Sequence, residues 1–299
     1  MRRYAFYPGC TLHSTGVEFG VSSELVCERL GLEMVEIPDW NCCGASSAHS
    51  MKAELTLALP ARNLVKAQET GLEDLAIPCA ACYSRLAAAG KALGEDGGFR
   101  GRMEEVLGVK WAGRVRPRSL LEVMVGDVSR EELAGAVRKP LEGFKVASYY
   151  GCLLVRPPEY TGRWDDPEHP QSMDYVLGLL GAEVVPWSYG VDCCGGSLTL
   201  NRSDVVVHLV DRLARAAREA GAEALATACP MCMANVDGRQ LYRGGRPLPR
   251  PAKAGYEPVP IFYFTELMAL AYGLPVGKVL GRHMVDPRPL LKRVGVIER

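Results

Sequence analysis

One cysteine pattern occurs twice in this chain. YAFYPGC ends at Cys10 and VASYYGC ends at Cys152. Each is followed by a vicinal Cys-Cys-Gly, supplying Cys42 and Cys43 in the first half and Cys193 and Cys194 in the second. IPCAAC then brings Cys79 and Cys82, and ACPMC brings Cys229 and Cys232. LLEVMV at Leu120 to Val125 answers FTELMA at Phe264 to Ala269. The separations are close: 36 positions from Cys43 to Cys79 against 35 from Cys194 to Cys229, and 32 from Cys10 to Cys42 against 41 from Cys152 to Cys193. Landmarks in one order at similar spacing mark an internal duplication, so both halves must satisfy the same fold. The 299 residues then divide near Lys139-Pro140 into units 1–139 and 140–299, each long enough for its own core.

Within each half, strand and helix patterns alternate. Tyr4 to Tyr7, Met34 to Ile37 and Leu75 to Ile77 are short apolar strands, separated by helical patterns over Phe19 to Leu30 and Leu55 to Glu69. Gly31 and Gly71 follow those helices as stop signals. The second half repeats the order with Lys145 to Tyr149, Met173 to Leu180, Ala182 to Val185, Val205 to Ala220 and Ala224 to Thr227. Alternation of this kind predicts an α/β fold: two pseudo-symmetric repeats, each a small parallel sheet flanked by helices. Strands one and three of each half run into a cysteine, and the loop after strand two carries the Cys-Cys pair. The carboxyl ends of parallel strands share one edge, so cysteines distant in sequence converge there. Leu93 to Arg118, rich in Gly and Arg and free of cysteine, reads as a loose connection.

Composition removes some function classes. Hydrophobic residues are 48% and charged residues 23% of the chain, the balance of an ordinary globular protein. Thirty-five basic against 35 acidic residues lack the basic excess of a nucleic-acid binder. The mixed run after Met1-Arg2-Arg3 has no apolar core, so no secretory leader is expected. Ile261 to Val276 is too short, and interrupted by Glu266, to span a bilayer. The expected location is therefore the cytoplasm, where thiols stay reduced and 11 cysteines serve as metal ligands or redox groups rather than staples.

Ten of the 11 cysteines belong to the repeated set, five per half; Cys27 alone stands outside it. Structural zinc and a cubane iron–sulfur cluster each take four protein ligands. Five soft ligands suit a larger or less regular iron–sulfur group, or a four-ligand site with a free thiol. Gly9, Gly151, Gly44 and Gly195 flank ligand candidates, where a missing side chain lets the backbone approach an inorganic core. Cys79-x-x-Cys82 opens a helix whose N-terminal dipole favours thiolates.

The pattern Cys, Cys-Cys-Gly, Cys-x-x-Cys, present twice over almost the whole chain, resembles the cysteine-rich CCG domains. It is most similar to the B-type subunit of heterodisulfide reductase and its bacterial relatives. YYGCLLVRPPEYTGRWDDPEHP, from Tyr149, is similar to that family's second-half loop. The resemblance implies two noncubane 4Fe–4S clusters, one per half, each held by five cysteines: Cys10, Cys42, Cys43, Cys79 and Cys82, and Cys152, Cys193, Cys194, Cys229 and Cys232. It implies an oxidoreductase acting on sulfur groups, with a small-molecule disulfide split between the clusters. No ferredoxin cysteine run and no Gly-x-Gly-x-x-Gly occur in the chain, so electrons must come from other polypeptides. The family supplies two of these, one ferredoxin-like (C-type) and one flavin-bearing (A-type). CCG domains also occur in electron-relay subunits of lactate, glycolate and glycerol-3-phosphate oxidising systems and of quinone-linked reductases, and a relay is the alternative function. A zinc-stabilised assembly module is a third reading.

Several residues have plainer readings. Cys27, at helical spacing with Leu30, belongs to the core. His13 and His49 lie near ligand candidates but read as surface or hydrogen-bonded histidines. Arg156, Arg163 and Trp164 sit in the longer second-half loop. An Arg there could hold an anion, but a solvated loop side chain is the simpler reading. Glu122 and Glu266 recur between the halves as helix-start residues.

Overall fold

The computed structural model describes residues 1–45, 51–243, 246–247 and 257–298. Two four-stranded parallel sheets dominate it. In the first half, β1 (Arg2–Phe6), β2 (Leu32–Glu36), β3 (Asp74–Ile77) and β4 (Arg116–Ser119) lie in the order β2-β1-β3-β4. In the second, β5 (Lys145–Tyr149), β6 (Glu183–Val184), β7 (Ala224–Thr227) and β10 (Ile261–Tyr263) lie in the order β6-β5-β7-β10. The two orders match strand for strand. A small antiparallel ribbon, β8 (Tyr242–Arg243) with β9 (Arg246–Pro247), stands apart from both sheets.

The central strands show why the sheets are parallel. Leu75, Ala76 and Ile77 of β3 and all four residues of β7 are buried, the unbroken apolar run expected where helices cover both faces. The expected helices are found at Val17–Arg29, Leu55–Gln68, Ser172–Leu179 and Ser203–Glu219. A fourth strand per half, β4 or β10, runs directly into the helix that carries the LLEVMV or FTELMA segment. Glu122 and Glu266 occupy the third position of these helices, each accepting from a backbone N–H at the helix start.

The stretch from Leu93 to Arg118 is more ordered than its composition suggests. It holds a helix, Gly97–Leu107, and the start of β4. Asp96 caps that helix, accepting from Phe99 N at 2.9 Å, and Gly108 ends it at φ 65°. Phe99 and Met103, one turn apart, bury their side chains against the first-half core. Capping and one apolar pair outweigh the low helix propensity of the glycines.

The halves are joined reciprocally. Helix Val17–Arg29 packs on Phe264–Ala271 of the second half, and its counterpart Ser172–Leu179 packs on Leu120–Asp127 of the first. Such an exchange is the signature of a twofold relation, here within one chain. At the first contact Phe19 stacks on Tyr263 with ring centroids 4.2 Å apart, and Ser22 Oγ lies 2.7 Å from Thr265 Oγ1. Closer to the cysteines, Ala80 N donates to Ala228 O at 3.1 Å, tying the loop after β3 to the loop after β7. No helix among the described residues is long and apolar enough to cross a membrane.

Candidate metal centre

In the order 2-1-3-4 all strands run parallel but the winding of the chain reverses between the two central strands, and ligand sites form at their carboxyl ends. Cys10 follows β1 and Cys79 follows β3 at that point; Cys152 and Cys229 repeat the placement after β5 and β7. Cys79 and Cys229 each occupy the N-cap of the next helix, Ala80–Glu95 or Pro230–Arg239. Cys82 and Cys232 lie in the first turn of those helices, where unpaired backbone N–H groups favour thiolate.

The vicinal pairs arrive by a different device. Tyr7, near the end of β1, donates its hydroxyl to Asn41 O at 2.8 Å, and Tyr149 donates to Asp192 O at 2.8 Å. These carbonyls immediately precede Cys42 and Cys193. Both tyrosines are fully buried and meet a tryptophan edge-on, Trp40 at 5.7 Å and Trp187 at 5.9 Å. Burial pushes both phenol pKa values up, so they stay neutral donors. In the first half Asn63 adds a second clamp: its Oδ1 accepts from Asn41 N at 2.9 Å and its Nδ2 donates to Asn41 O at 2.8 Å.

So held, the thiols of each half converge. Cys10 and Cys42 sulfurs are 3.8 Å apart, and those of Cys43 and Cys82 are 3.2 Å apart. All five second-half cysteines line one cavity of about 170 Å³. Backbone amides point at the exposed member of each vicinal pair: Gly44 N at 3.4 Å from Cys42 Sγ, Gly195 N at 3.2 Å from Cys193 Sγ. Asn235 Nδ2 lies 3.5 Å from Cys194 Sγ. All 11 cysteines are free thiols.

Neighbouring thiols within each half share protons. Hydrogen bonds from Cys10 and Cys43 draw Cys42 down to about 2, while Cys10 is pushed up and Cys43 rises to about 11. In the second half a bond from Cys152 draws Cys193 down to about 6, and Cys152 rises. Cys229 is drawn down by Cys232 and by Cys79, the N-cap cysteine of the other half. Crowded sulfurs that depend on shared protons are a set that a cationic centre can bind in the protons' place.

The kind of centre follows from the donors. Five thiols line one cavity in the second half, all of them soft and one more than a structural zinc ion takes, which fits a polynuclear iron–sulfur group. The glycines fit it too. Gly9 and Gly151 adopt φ +70° and +66°, and a Cβ there would sit 3.2 Å from Cys82 Sγ and 2.9 Å from Cys232 Sγ.

The match to known families agrees with this geometry. A family model for the CCG cysteine-rich domain fits residues 4–87 and again residues 146–237. The chain belongs to the CCG family. One relative of this duplicated CCG protein is the 8-methylmenaquinol:fumarate reductase membrane anchor subunit of Wolinella succinogenes, 31% identical and matched over 97% of this chain and 99% of the relative. Another is the B-type subunit of a ferredoxin/F420H2-dependent CoB–CoM heterodisulfide reductase from Methanosarcina acetivorans, 25% identical over 91% of this chain and 90% of the relative. A crystal structure of a hypothetical protein from Helicobacter pylori shares the fold, with a TM-score of 0.74 at 16% identity, covering 95% of this chain and 52% of that one. The relatives thus include B-type subunits of heterodisulfide reductases, and this CCG protein is a related iron–sulfur electron-transfer subunit of an oxidoreductase.

The remaining candidates lie where their plainer readings put them. Cys27 is buried in helix Val17–Arg29, and desolvation pushes its pKa up to about 12. His13 is exposed and stacks on Trp40 at 5.9 Å. Arg156 is committed to its own loop, paired with Glu168 and donating to Pro167 O. Arg163 is exposed and Trp164 packs against the core. His49 lies outside the described residues. Sequence reasoning missed Tyr7, Tyr149, Asn63, Asn235 and Arg85. Only the tyrosines left a signal: each stands three positions before the first cysteine of its repeat.

Proposed function

We propose that this CCG protein is the catalytic iron–sulfur subunit of a heterodisulfide reductase-type complex. Residues 1–139 and 140–299 are then two CCG domains. Cys10, Cys42, Cys43, Cys79 and Cys82 hold one noncubane 4Fe–4S cluster, and Cys152, Cys193, Cys194, Cys229 and Cys232 hold the other. When bound, each cluster supplies a one-electron reservoir. The reaction is RS–SR′ + 2e⁻ + 2H⁺ → RSH + R′SH, which needs two electrons at one place. The observation that carries this reading is the Ala80–Ala228 backbone bond at 3.1 Å, which joins the residue after Cys79 to the residue before Cys229. Two ligand sets that meet on one seam suit a substrate addressed from both sides. Electrons come from two partner proteins, one ferredoxin-like and one flavin-bearing, in the reducing cytoplasm that free thiols require.

A second reading, a relay subunit of a quinone-linked complex, has its own observation. A groove of about 770 Å³ runs between helix Val17–Arg29 and β2, past Phe6, Leu12, Val21 and Met34 to Pro8 and His13, which flank Cys10 in sequence. The Wolinella relative is named for a quinol substrate. One experiment separates the two. Anaerobic protein is reduced and titrated with candidate disulfides while the paramagnetic resonance of each cluster is followed. A disulfide that perturbs both signals supports the reductase. If none perturbs either, while a menaquinol analogue reduces the clusters, the chain is a relay.

A further inference from the structure

Helix Ala80–Glu95 serves both halves. In its first turn, Cys82 meets Cys43 of the first half at 3.2 Å. One turn later, Arg85 lines the cavity formed by the five cysteines of the second half. Among the described residues it is the one charged member of that lining, which otherwise consists of cysteines, alanines, Gly196, Ser197, Tyr150, Leu153 and Met231. Arg85 Nε is buried and has no hydrogen-bond partner among the described residues. Nor does any ion pair among the described residues engage its guanidinium. A buried donor without a partner is costly, and arginine, unlike lysine, cannot shed its charge to escape that cost.

The repeat gives Arg85 a counterpart. Three residues after Cys232, the position equivalent to Arg85 is Asn235. Asn235 stays within its own half: its Nδ2 donates to Cys194 O at 3.3 Å and lies 3.5 Å from Cys194 Sγ. The equivalent helices thus deliver different groups, a cation that crosses the seam and a neutral amide that does not. The second-half thiols receive both.

We propose that Arg85 is the counter-charge of the second half's iron–sulfur cluster, making it the easier of the two clusters to reduce. This rests on the reading that the second half holds such a cluster. A centre bound by five thiolates carries negative charge, and reduction adds one more. A fixed guanidinium at the cavity wall favours the reduced form, because cluster potential follows net charge and hydrogen bonds to sulfur. Electrons entering the protein then settle in the second half. Arg85 acts on the cluster and is a positioning residue, not a catalytic one.

The test uses full-length protein purified anaerobically, with iron and sulfide measured first and the two cluster signals assigned through Cys43→Ser and Cys194→Ser. Redox titrations compare wild type, Arg85→Met and Arg85→Lys. Arg85→Met is expected to shift the reduced-to-oxidised ratio of the second-half cluster at a fixed poise by about tenfold toward oxidised, equivalent to about 59 mV for one electron. The first-half midpoint should stay within error, and Arg85→Lys should keep most of the wild-type value. Should Arg85→Met lose iron, Arg85→Gln against Arg85→Lys decides in the same way, the neutral side chain titrating lower. Unchanged midpoints, or equal shifts in both halves, overturn the inference. So does an unchanged midpoint with a raised KM for an anionic disulfide, which would make Arg85 a substrate contact. A second half without iron in the wild type would refute the proposed function itself, and this inference with it.

Discussion

Alanine at Gly151 should cost far more than alanine at Gly31, although both glycines have almost the same backbone conformation. Gly31 has φ +69° and no heavy atom within 4 Å of an added Cβ. Gly151 has φ +66°, and its added Cβ would lie 2.9 Å from Cys232 Sγ. Gly31→Ala therefore measures backbone strain alone: about 1–2 kcal/mol for the left-handed conformation, offset by about 0.4–1 kcal/mol from a stiffer unfolded chain. The net loss is about 1 kcal/mol. Gly151→Ala adds an overpacking cost of about 1–3 kcal/mol, for a total of roughly 2–4 kcal/mol. Relief cannot come from a flexible side-chain end, because the clashing atom is the sulfur of Cys232, buried in the first turn of its helix. Gly9→Ala, at φ +70° and 3.2 Å from Cys82 Sγ, should fall between the two.

The assay is a paired one. Urea unfolding, performed identically on each variant, orders the stabilities, and iron per chain reports whether a displaced sulfur still binds. Gly31→Ala should keep full iron. Gly151→Ala should lose second-half iron while the first-half signal persists, and Gly9→Ala should show the reverse. If Gly151→Ala unfolds at the same urea concentration as Gly31→Ala and keeps full iron, the glycine is not there to clear the sulfur, and the close-approach argument fails.

Cys43→Ser and Cys194→Ser should each remove iron from one half and leave the other largely loaded, read as iron per chain and by loss of one of two spectroscopic signals. Cys27→Ala should retain both clusters and cost about 1–2 kcal/mol of packing in a denaturation curve. In the native wild type, Cys27 should resist alkylation at pH 8, since burial lifts its pKa to about 12. Glu266→Leu should destabilise by about 3–5 kcal/mol, because it strands His283, whose Nε2 lies 3.0 Å from Glu266 Oε1 with both side chains fully buried. Burial depresses the His283 pKa, but the Glu266 bond and the charges of Glu266, Asp237 and Glu18 outweigh it and leave the value raised. A raised histidine contributes stability that is fully present below its unfolded pKa of about 6.5 and is lost as pH rises through its folded value. The stability gap between wild type and His283→Gln should therefore be widest near pH 6 and narrow toward pH 9 in urea titrations.

The cysteines were legible because their chemistry tolerates no substitute and because the duplication states it twice. The α/β alternation was legible for a similar reason: β3 and β7 are buried on both faces and read as unbroken apolar runs. β4 was not. Its sequence, Arg116-Pro117-Arg118-Ser119, carries no strand pattern. Arg118 is buried there only because Asp127, Glu122 and Asp74 from other elements surround it. Helix Gly97–Leu107 was hidden by its glycines, since its stability comes from the Asp96 cap and two buried side chains. Tyr7 and Tyr149 stood in the repeated motif, but their role lies in a bond to a carbonyl more than 30 positions away, which no local pattern encodes.

A duplication advertises what its halves share and conceals what they do not. The residues common to both halves, the ten cysteines with their glycines and tyrosines, build two thiol sites of one kind. Two equivalent sites related by a twofold axis would accept an electron equally well and give it no preferred resting place. Direction must then come from positions where the repeat breaks close to the seam. The nine extra positions before Cys193 fall in a loop whose Arg156 is tied to Glu168 and Pro167. That break is satisfied internally. The groove beside β2 opens on the outer edge of the first sheet, on the far side of β1 from β3. Arg85 against Asn235 is a break that lies within a cysteine-lined cavity, and among the described residues lining it Arg85 is the one that carries charge. An alignment of the halves registers it as one mismatch among many. Only the crossing of helix Ala80–Glu95 into the second half gives it a consequence.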